Sequence, residues 1–545
     1  MSEQIRFVLA QQNFLLGAIE ENAAKIIATA KLAREDYQAD IVVFPELALT
    51  GYPPEDLLLR PELHQRVEDM IVKIQAAVPN IYVLFGHPHF DPETGTLFNC
   101  ATLCFGGVTV SRYAKRHLPN YAVFDEKRYF AHGKEPGVIA IKGHKIGVMI
   151  CEDVWMPGPV ADCANLGAEF IFCINASPYH RNKALERVST IHSRQVSEGH
   201  LPIVYLNLVG GQDELVFDGD SMIVDAQGKI PVRLAAFQEE IALVIATYEN
   251  NTWRFTSESQ ASVLSEDAML YQALVLGTRD YCHKNHFKQA IIGLSGGIDS
   301  ALTVAIAADA LGADNVTACA MPSRYTSDIS TSDAEQQAKA MGVHFLNISI
   351  EPMFKAALES FKPAFGTRAP DVTEENLQAR CRGITLMALS NKFGQIVLST
   401  GNKSEIAVGY CTLYGDMCGG FDVLKDVPKT MVYRLSRYRN TLSPVIPDRV
   451  ITRAPTAELR QNQLDQDSLP PYDILDPIMQ RYVEEDHSMK DIIQAGFDEA
   501  MVRRVVMLID RNEYKRRQSP PGPRISKRAF GRDWRYPITS GFGRR

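Results

Sequence analysis

The run Ile291 to Ser300, IIGLSGGIDS, constrains this chain more than any other stretch. A β-rich apolar segment, Ala290 to Leu294, leads into it and a helical pattern leaves from Ser300. Glycines at a strand-to-helix turn bare backbone N–H groups, and the helix start adds positive potential, so such a turn suits phosphate. Ser295 and Ser300 add hydroxyl donors. Asp299 would repel a bare phosphate and makes sense only with a divalent cation between the two. The spacing fits neither the Walker A loop nor the dinucleotide fingerprint. A helix over Ala268 to Lys284 precedes the loop. After it come a strand over Val316 to Met321, a helix near Asp333 to Met341 and a strand over Phe345 to Ile348. That alternation predicts a parallel sheet with helices on both faces.

The first half has another rhythm. Ile5 to Ala10 and Asp40 to Phe44 read as strands with a helix between them. Hairpins are expected across Gly106-Gly107, Gly143-His144 and Gln227-Gly228. Hairpins mixed with helices predict a layered α+β body. The polar stretch from Glu249 to Asp267 reads as a linker. The expected division is therefore 1–248, a 249–267 linker, and 268–545. With 545 residues, 46% hydrophobic and 22% charged, the chain is in the globular range, which excludes disorder and fibrous repeats. No apolar run approaches the ~18 residues of a membrane span, and the N-terminus does not read as a secretory signal. Ten cysteines without regular spacing are expected to be mostly reduced core thiols.

One cysteine stands apart. Cys151 ends the apolar run of IGVMICEDVW and is followed directly by Glu152 and Asp153. Glu46 ends another strand, in FPELALTGY, and Lys115 follows a third, in RYAKRHLP. A thiolate nucleophile needs a nearby cation to lower its pKa and a carboxylate to carry its proton. The three contexts together resemble the Glu–Lys–Cys triad of the nitrilase superfamily, which cleaves non-peptide C–N bonds through a thioester. The resemblance implies an α-β-β-α sandwich with Glu46, Lys115 and Cys151 catalytic, and Lys115 also facing the oxyanion.

Charge is uneven. The chain carries −8, yet residues 503–545 hold 13 Lys/Arg against three Asp/Glu, leaving −18 on the remainder. Such a basic tail reads as a solvated surface, or as a site for a phosphate-bearing substrate, a neighbouring subunit or RNA.

The string Ser-Gly-Gly-x-Asp-Ser resembles the PP-loop of the ATP pyrophosphatases. Joined to a nitrilase-like half it resembles the glutamine-dependent NAD synthetases, over nearly the whole chain. The resemblance implies an enzyme that frees ammonia from L-glutamine and passes it internally to a second site. That site adenylates deamido-NAD with ATP and Mg²⁺. Tyr121, Ser177 and Lys183 would hold glutamine. Gly293, Leu294, Ser295, Gly296, Gly297, Ile298, Asp299, Ser300, Thr400, Lys429 and Thr456 would contact ATP. Asn376, Arg380, Glu405, Asp422 and Lys515 would contact deamido-NAD, with Asp299 and Glu405 on the metal. The resemblance further implies a cytoplasmic homo-oligomer, dimer or larger, with no nucleic-acid or membrane partner, the tail cations serving substrate phosphates. Another glutamine-dependent PP-loop enzyme with a different acceptor is the alternative.

Overall fold

The computed structural model describes residues 3–461 and 463–542. Contacts divide the chain into two compact units: Met1–Gln212 with Val216–Leu264, and Asp213–Leu215 with Ser265–Arg545.

The first unit is built on two large sheets. One has seven strands, in the order Thr252–Thr256, Glu240–Glu249, Glu3–Gln11, Ile41–Val43, Tyr82–Asp91, Thr96–Phe105, Val108–Ala114. The other has six, Val232–Arg233, Met222–Val224, Ile203–Asn207, Phe170–Asn175, His144–Ile150 and Gly137–Ile141. Strand alternation explains their packing. Ile5, Phe7 and Leu9 share one face of their strand and meet Ile146, Val148, Phe170 and Phe172 of the other sheet in one buried core. On the far side of the six-stranded sheet, Met149, Ile171 and Cys173 pack on Val160, Cys163 and Ile191 of the helices Pro159–Asn165 and Lys183–Glu198. The result is the α-β-β-α sandwich that the nitrilase resemblance implied.

The stretch 249–267 is not a linker throughout. Thr252-Trp253-Arg254-Phe255-Thr256 alternates polar and apolar and pairs antiparallel with Glu240–Glu249. Trp253 and Phe255 are buried in the intersheet core, with Trp253 edge-on to Phe170 at 5.3 Å. The surrounding Ser and Asn residues hid this period-two pattern. The second unit begins at Ser265, whose hydroxyl accepts from Ala268 N and caps the helix Glu266–Lys284.

The second unit carries a five-stranded sheet in the order His344–Asn347, Val316–Ala320, Ala290–Gly293, Ile396–Ser399, Phe421–Asp422. Every neighbouring pair is parallel. Strand order reverses between Ala290–Gly293 and Ile396–Ser399, and ligands of such sheets bind at the strand ends of that crevice. The helix Ile298–Leu311, almost wholly buried, follows the glycine loop there.

Candidate active sites

In the first unit, three strand ends bring the predicted triad together. Lys115 is 1% exposed and its Nζ donates to Glu46 Oε1 at 2.7 Å. The same ammonium donates to Glu126 Oε1 and Oε2 at 2.8 and 2.9 Å. Glu46 is fixed from two further sides: Asn99 Nδ2 donates to its Oε1 at 2.8 Å and the Ala176 N–H to its Oε2 at 2.9 Å. Tyr52 donates to Glu126 at 2.9 Å. One buried cation thus stands between two buried carboxylates. Burial pushes the Glu126 carboxyl up to about 7, against the pull of Lys115 and with the repulsion of Glu46 behind it. Lys115 is desolvated too, but Glu126 and Glu46 hold its pKa well above the ordinary lysine value.

Cys151 closes the strand His144–Ile150 and opens the short helix Glu152–Trp155. Its φ of 45° and ψ of −94° lie where a side chain is strained, a position that surrounding structure must enforce. Asp153 supplies part of that enforcement, accepting from Ile150 N at 3.1 Å, His117 N at 2.8 Å and Tyr113 OH at 2.7 Å. Burial, followed by the Glu46 charge, lifts the thiol pKa well above that of free cysteine, while Lys115 draws it down. A thiol in this setting needs a base to become a nucleophile. The Cys151 N–H donates to Ile174 O, so an oxyanion donor must come from elsewhere.

The predicted glutamine residues divide. Tyr121, more than half exposed, donates to both Glu152 oxygens at 3.1 Å, directly beside the cysteine. Lys183 lies 3.7 Å from the centre of the Trp155 ring, and burial, with Arg187 adding to it, lowers its pKa to about 8. Ser177 neighbours Ala176, but its hydroxyl accepts from Arg187 Nε and Nη2 at 3.4 and 3.3 Å. Sequence reading missed Glu126, Tyr52, Asn99 and Glu152. Glu126, in NYAVFDEKRYF, has no local signature, and only the fold brings it to Lys115.

In the second unit, Gly293 to Ser300 line one cavity together with Thr400, Lys429, Thr456, Glu405 and Asp422. Gly296 has φ +79°, and a Cβ there would lie 2.3 Å from Ser330 O, so only glycine fits. Ser295 Oγ and Ser300 Oγ are 3.1 Å apart, and the Gly297 N–H donates to Ser295 at 3.2 Å. Lys429 Nζ donates to Asp299 Oδ2 at 2.5 Å and to Glu405 Oε1 at 3.0 Å. Asn402 donates to the other Asp299 oxygen at 2.9 Å. Burial holds Glu405 up at about 8, opposed by Lys429 and reinforced by Asp299 and Asp465. Asp422 is pushed up to about 8 by burial, and its Oδ1 has no hydrogen-bond partner, so this wall suits a polar ligand. Among the described residues no group of three or more His, Cys, Asp or Glu is placed to hold a metal. The pair Asp299 and Glu405, converging on one ammonium, fits a cation such as Mg²⁺ that takes few carboxylates and completes its shell with phosphate and water.

Asn376, Arg380 and Lys515 stand apart from this cavity wall. Asn376 accepts from Thr412 Oγ1, Arg380 donates to Leu413 O, and Lys515 donates to Gly409 O and Cys411 O. All three brace the 409–413 loop, whose Tyr410 and Cys411 line the cavity together with Gly415 and Asp416 just after it. Part of the basic tail is spent on the unit's own carboxylates: Arg516 and Arg517 pair with Glu513, Arg524 with Asp533, and Arg528 with Asp486. The expected service to substrate phosphates is corrected for these four arginines; Arg544 and Arg545 lie outside the described residues.

Two family models match the chain, carbon-nitrogen hydrolase over residues 8–257 and NAD synthase over 270–519. A glutamine-dependent NAD(+) synthetase of Acinetobacter baylyi is 51% identical, with 99% of each chain covered. One from Aquifex aeolicus is 43% identical over 99% of this chain and 100% of its own. Among solved structures, the glutamine-dependent NAD+ synthetase of Acinetobacter baumannii in complex with ADP superposes with a TM-score of 0.80 at 46% identity, covering 99% of both chains.

Proposed function

This chain belongs to the glutamine-dependent NAD(+) synthetases, and from that membership we propose how its two sites divide the work. It is a ligase that makes NAD⁺ with nitrogen from glutamine. In the first site Glu46 accepts the Cys151 proton, and the sulfur attacks the side-chain amide carbon of glutamine. Lys115, with a backbone N–H other than that of Cys151, stabilises the oxyanion. Glu46 returns the proton to the leaving ammonia, and water then cleaves the thioester to glutamate. Lys183 and Ser177 orient the amino acid, with Tyr121 at the mouth. Glu126 shares Lys115 with Glu46 and keeps its ammonium charged.

In the second site the glycine loop cradles the ATP phosphates. The nicotinate carboxylate of deamido-NAD attacks the α-phosphorus, pyrophosphate leaves, and ammonia passed within the protein displaces AMP. Asp299 and Glu405 would hold Mg²⁺, which supplies neutralising charge at the phosphates. Thr400, Thr456 and Lys429 lie along the ATP, and Asp422 meets the dinucleotide. Asn376, Arg380 and Lys515 act on it by shaping the 409–413 loop. A cytoplasmic homo-oligomer completes the reading by family membership.

One observation carries it: a single chain holds two separate charge clusters, one around a strained cysteine and one over a glycine loop. Cys151→Ala should abolish glutamine-driven synthesis yet leave synthesis from ammonium salts, whereas Asp299→Asn should lose both. Equal loss of the two activities in a folded Cys151→Ala protein would overturn the division of labour.

A further inference from the structure

Arg453 forms part of the cavity wall beside Ser295, Gly296 and Gly297, at the start of the 453–459 segment that crosses the glycine loop. Its Nη2 donates to the Gly296 carbonyl at 3.2 Å and to Ser330 Oγ at 3.0 Å. Both acceptors are neutral, and among the described residues Arg453 makes no ion pair. The contrast with Lys429 is direct, since that ammonium is already held by two carboxylates, Asp299 and Glu405. Around the loop, then, Arg453 is a cation whose charge the protein has not answered.

Its position is nonetheless fixed. Ser330 and Ser327 both donate to Glu458 Oε1, at 2.8 and 2.9 Å, which ties the far end of the same segment to the same helix start. Thr456 Oγ1 donates to Gln463 O at 2.6 Å and holds the middle. The guanidinium is thus anchored at the phosphate loop by a carbonyl and a hydroxyl, with its charge left over. A fixed guanidinium that no carboxylate answers, lining the same cavity as the glycine loop, suits a multiply charged phosphate.

We propose that Arg453 is a further catalytic residue of the synthesis, contacting the β,γ-pyrophosphate of ATP and stabilising it as it leaves. The proposal rests on the adenylating role assigned to this cavity. In that step the nicotinate carboxylate oxygen forms a bond to the α-phosphorus. The bond from that phosphorus to the β-bridging oxygen breaks, and its electron pair departs with pyrophosphate; no proton moves. Negative charge therefore grows on the β-phosphate, beside Gly296, and a donor fixed there gains strength in the transition state.

The test is titration calorimetry of the full chain with inorganic pyrophosphate and, separately, with AMP. Arg453→Gln should weaken pyrophosphate about 10- to 100-fold, the range for a hydrogen bond to a charged group, and leave AMP within about twofold. Arg453→Lys should recover part of the pyrophosphate affinity, since it restores the charge but not the fork. Ammonium-driven turnover should fall in Arg453→Gln in kcat more than in the KM for ATP. Unchanged pyrophosphate affinity would overturn the proposal. So would equal weakening of AMP and pyrophosphate, because the segment would then be acting as a structural strap. Failure of the wild-type chain to form NAD⁺ from ammonium would instead overturn the adenylating role itself.

Discussion

Replacing Glu126 by glutamine tests the charge arrangement around Lys115. The Glu126 carboxyl rises from 4.5 to about 7 on folding, with desolvation the largest cause. Because the folded pKa is the higher one, folding takes up a proton between those two values. Stability from this group is complete below about pH 4.5 and is lost as pH rises through about 7. A shift of this size corresponds to about 3 kcal/mol between the protonated and ionised extremes. Glu126 faces an ammonium that it shares with Glu46, at 2.8 and 2.7 Å respectively. Glutamine resembles the neutral acid in shape and cannot ionise. Glu126→Gln should therefore flatten the pH dependence of the first unit's melting between pH 5 and 9 and match or exceed the wild type at the alkaline end. Its amide also turns one donor toward Lys115, so glutamine hydrolysis should fall about 10- to 100-fold as the ammonium loses its seat. Calorimetry across that range, resolving the two units' transitions, reads the first effect. A variant that kept the wild-type slope, or lost more stability at pH 9 than at pH 5, would refute the reasoning.

Two further outcomes follow from the geometry. Burial lowers the Lys183 pKa to about 8, so the KM for glutamine should climb above that pH while Lys183→Arg holds it level; a wild-type KM flat to pH 9.5 would remove Lys183 from the orienting of glutamine. Gly296→Ala sets a methyl against Ser330 O at a left-handed φ, so ammonium-driven synthesis should fall at least about 100-fold with a raised KM for ATP; a KM within twofold of wild type would show that the loop yields.

The second unit was legible because its chemistry is local. Ser295 to Ser300 occupy six consecutive positions, and their backbone needs are written in the glycines. The βαβ order also followed directly from periodicity. The triad of the first unit was legible as three strand exits. Its fourth member was not, because Glu126 reaches Lys115 only through the path of the 116–129 loop. The strand Thr252–Thr256 escaped because polar neighbours masked its alternation. Charge counting was right only in part. The tail's surplus of +10 suggested a solvated surface or a site for an anionic partner; Arg503, Arg504, Arg511, Lys527, Arg532 and Arg535 are exposed, but Arg516 and Arg524 are buried on carboxylates, and Arg528 pairs with the distant Asp486. Arg453, which among the described residues no carboxylate answers, lies outside that tail, where net charge gives no signal.

The inward turn of that segment has a consequence for synthesis on the ribosome. Lys403, fully buried, directs its ammonium to Asp426, Glu484, Ser526 Oγ and the Arg528 carbonyl. Asp426 in turn receives the N–H groups of Ile525 and Ser526 at 2.8 and 2.7 Å. Trp534, 1% exposed, packs in the same core as Ile406 and Leu475 and donates to Glu513. A nascent chain that has reached residue 520 has made every strand of the second unit's sheet and both carboxylates that answer Lys403, but it still lacks the Ile525 and Ser526 N–H groups, the Ser526 hydroxyl, the Arg528 carbonyl and the Trp534 ring that complete this buried cluster. The first unit has all of its strands by Thr256, and so can fold during elongation. The second completes its core only when residues 525–534 have cleared the ribosome, so the glutamine-cleaving half can finish folding before the half that consumes its ammonia.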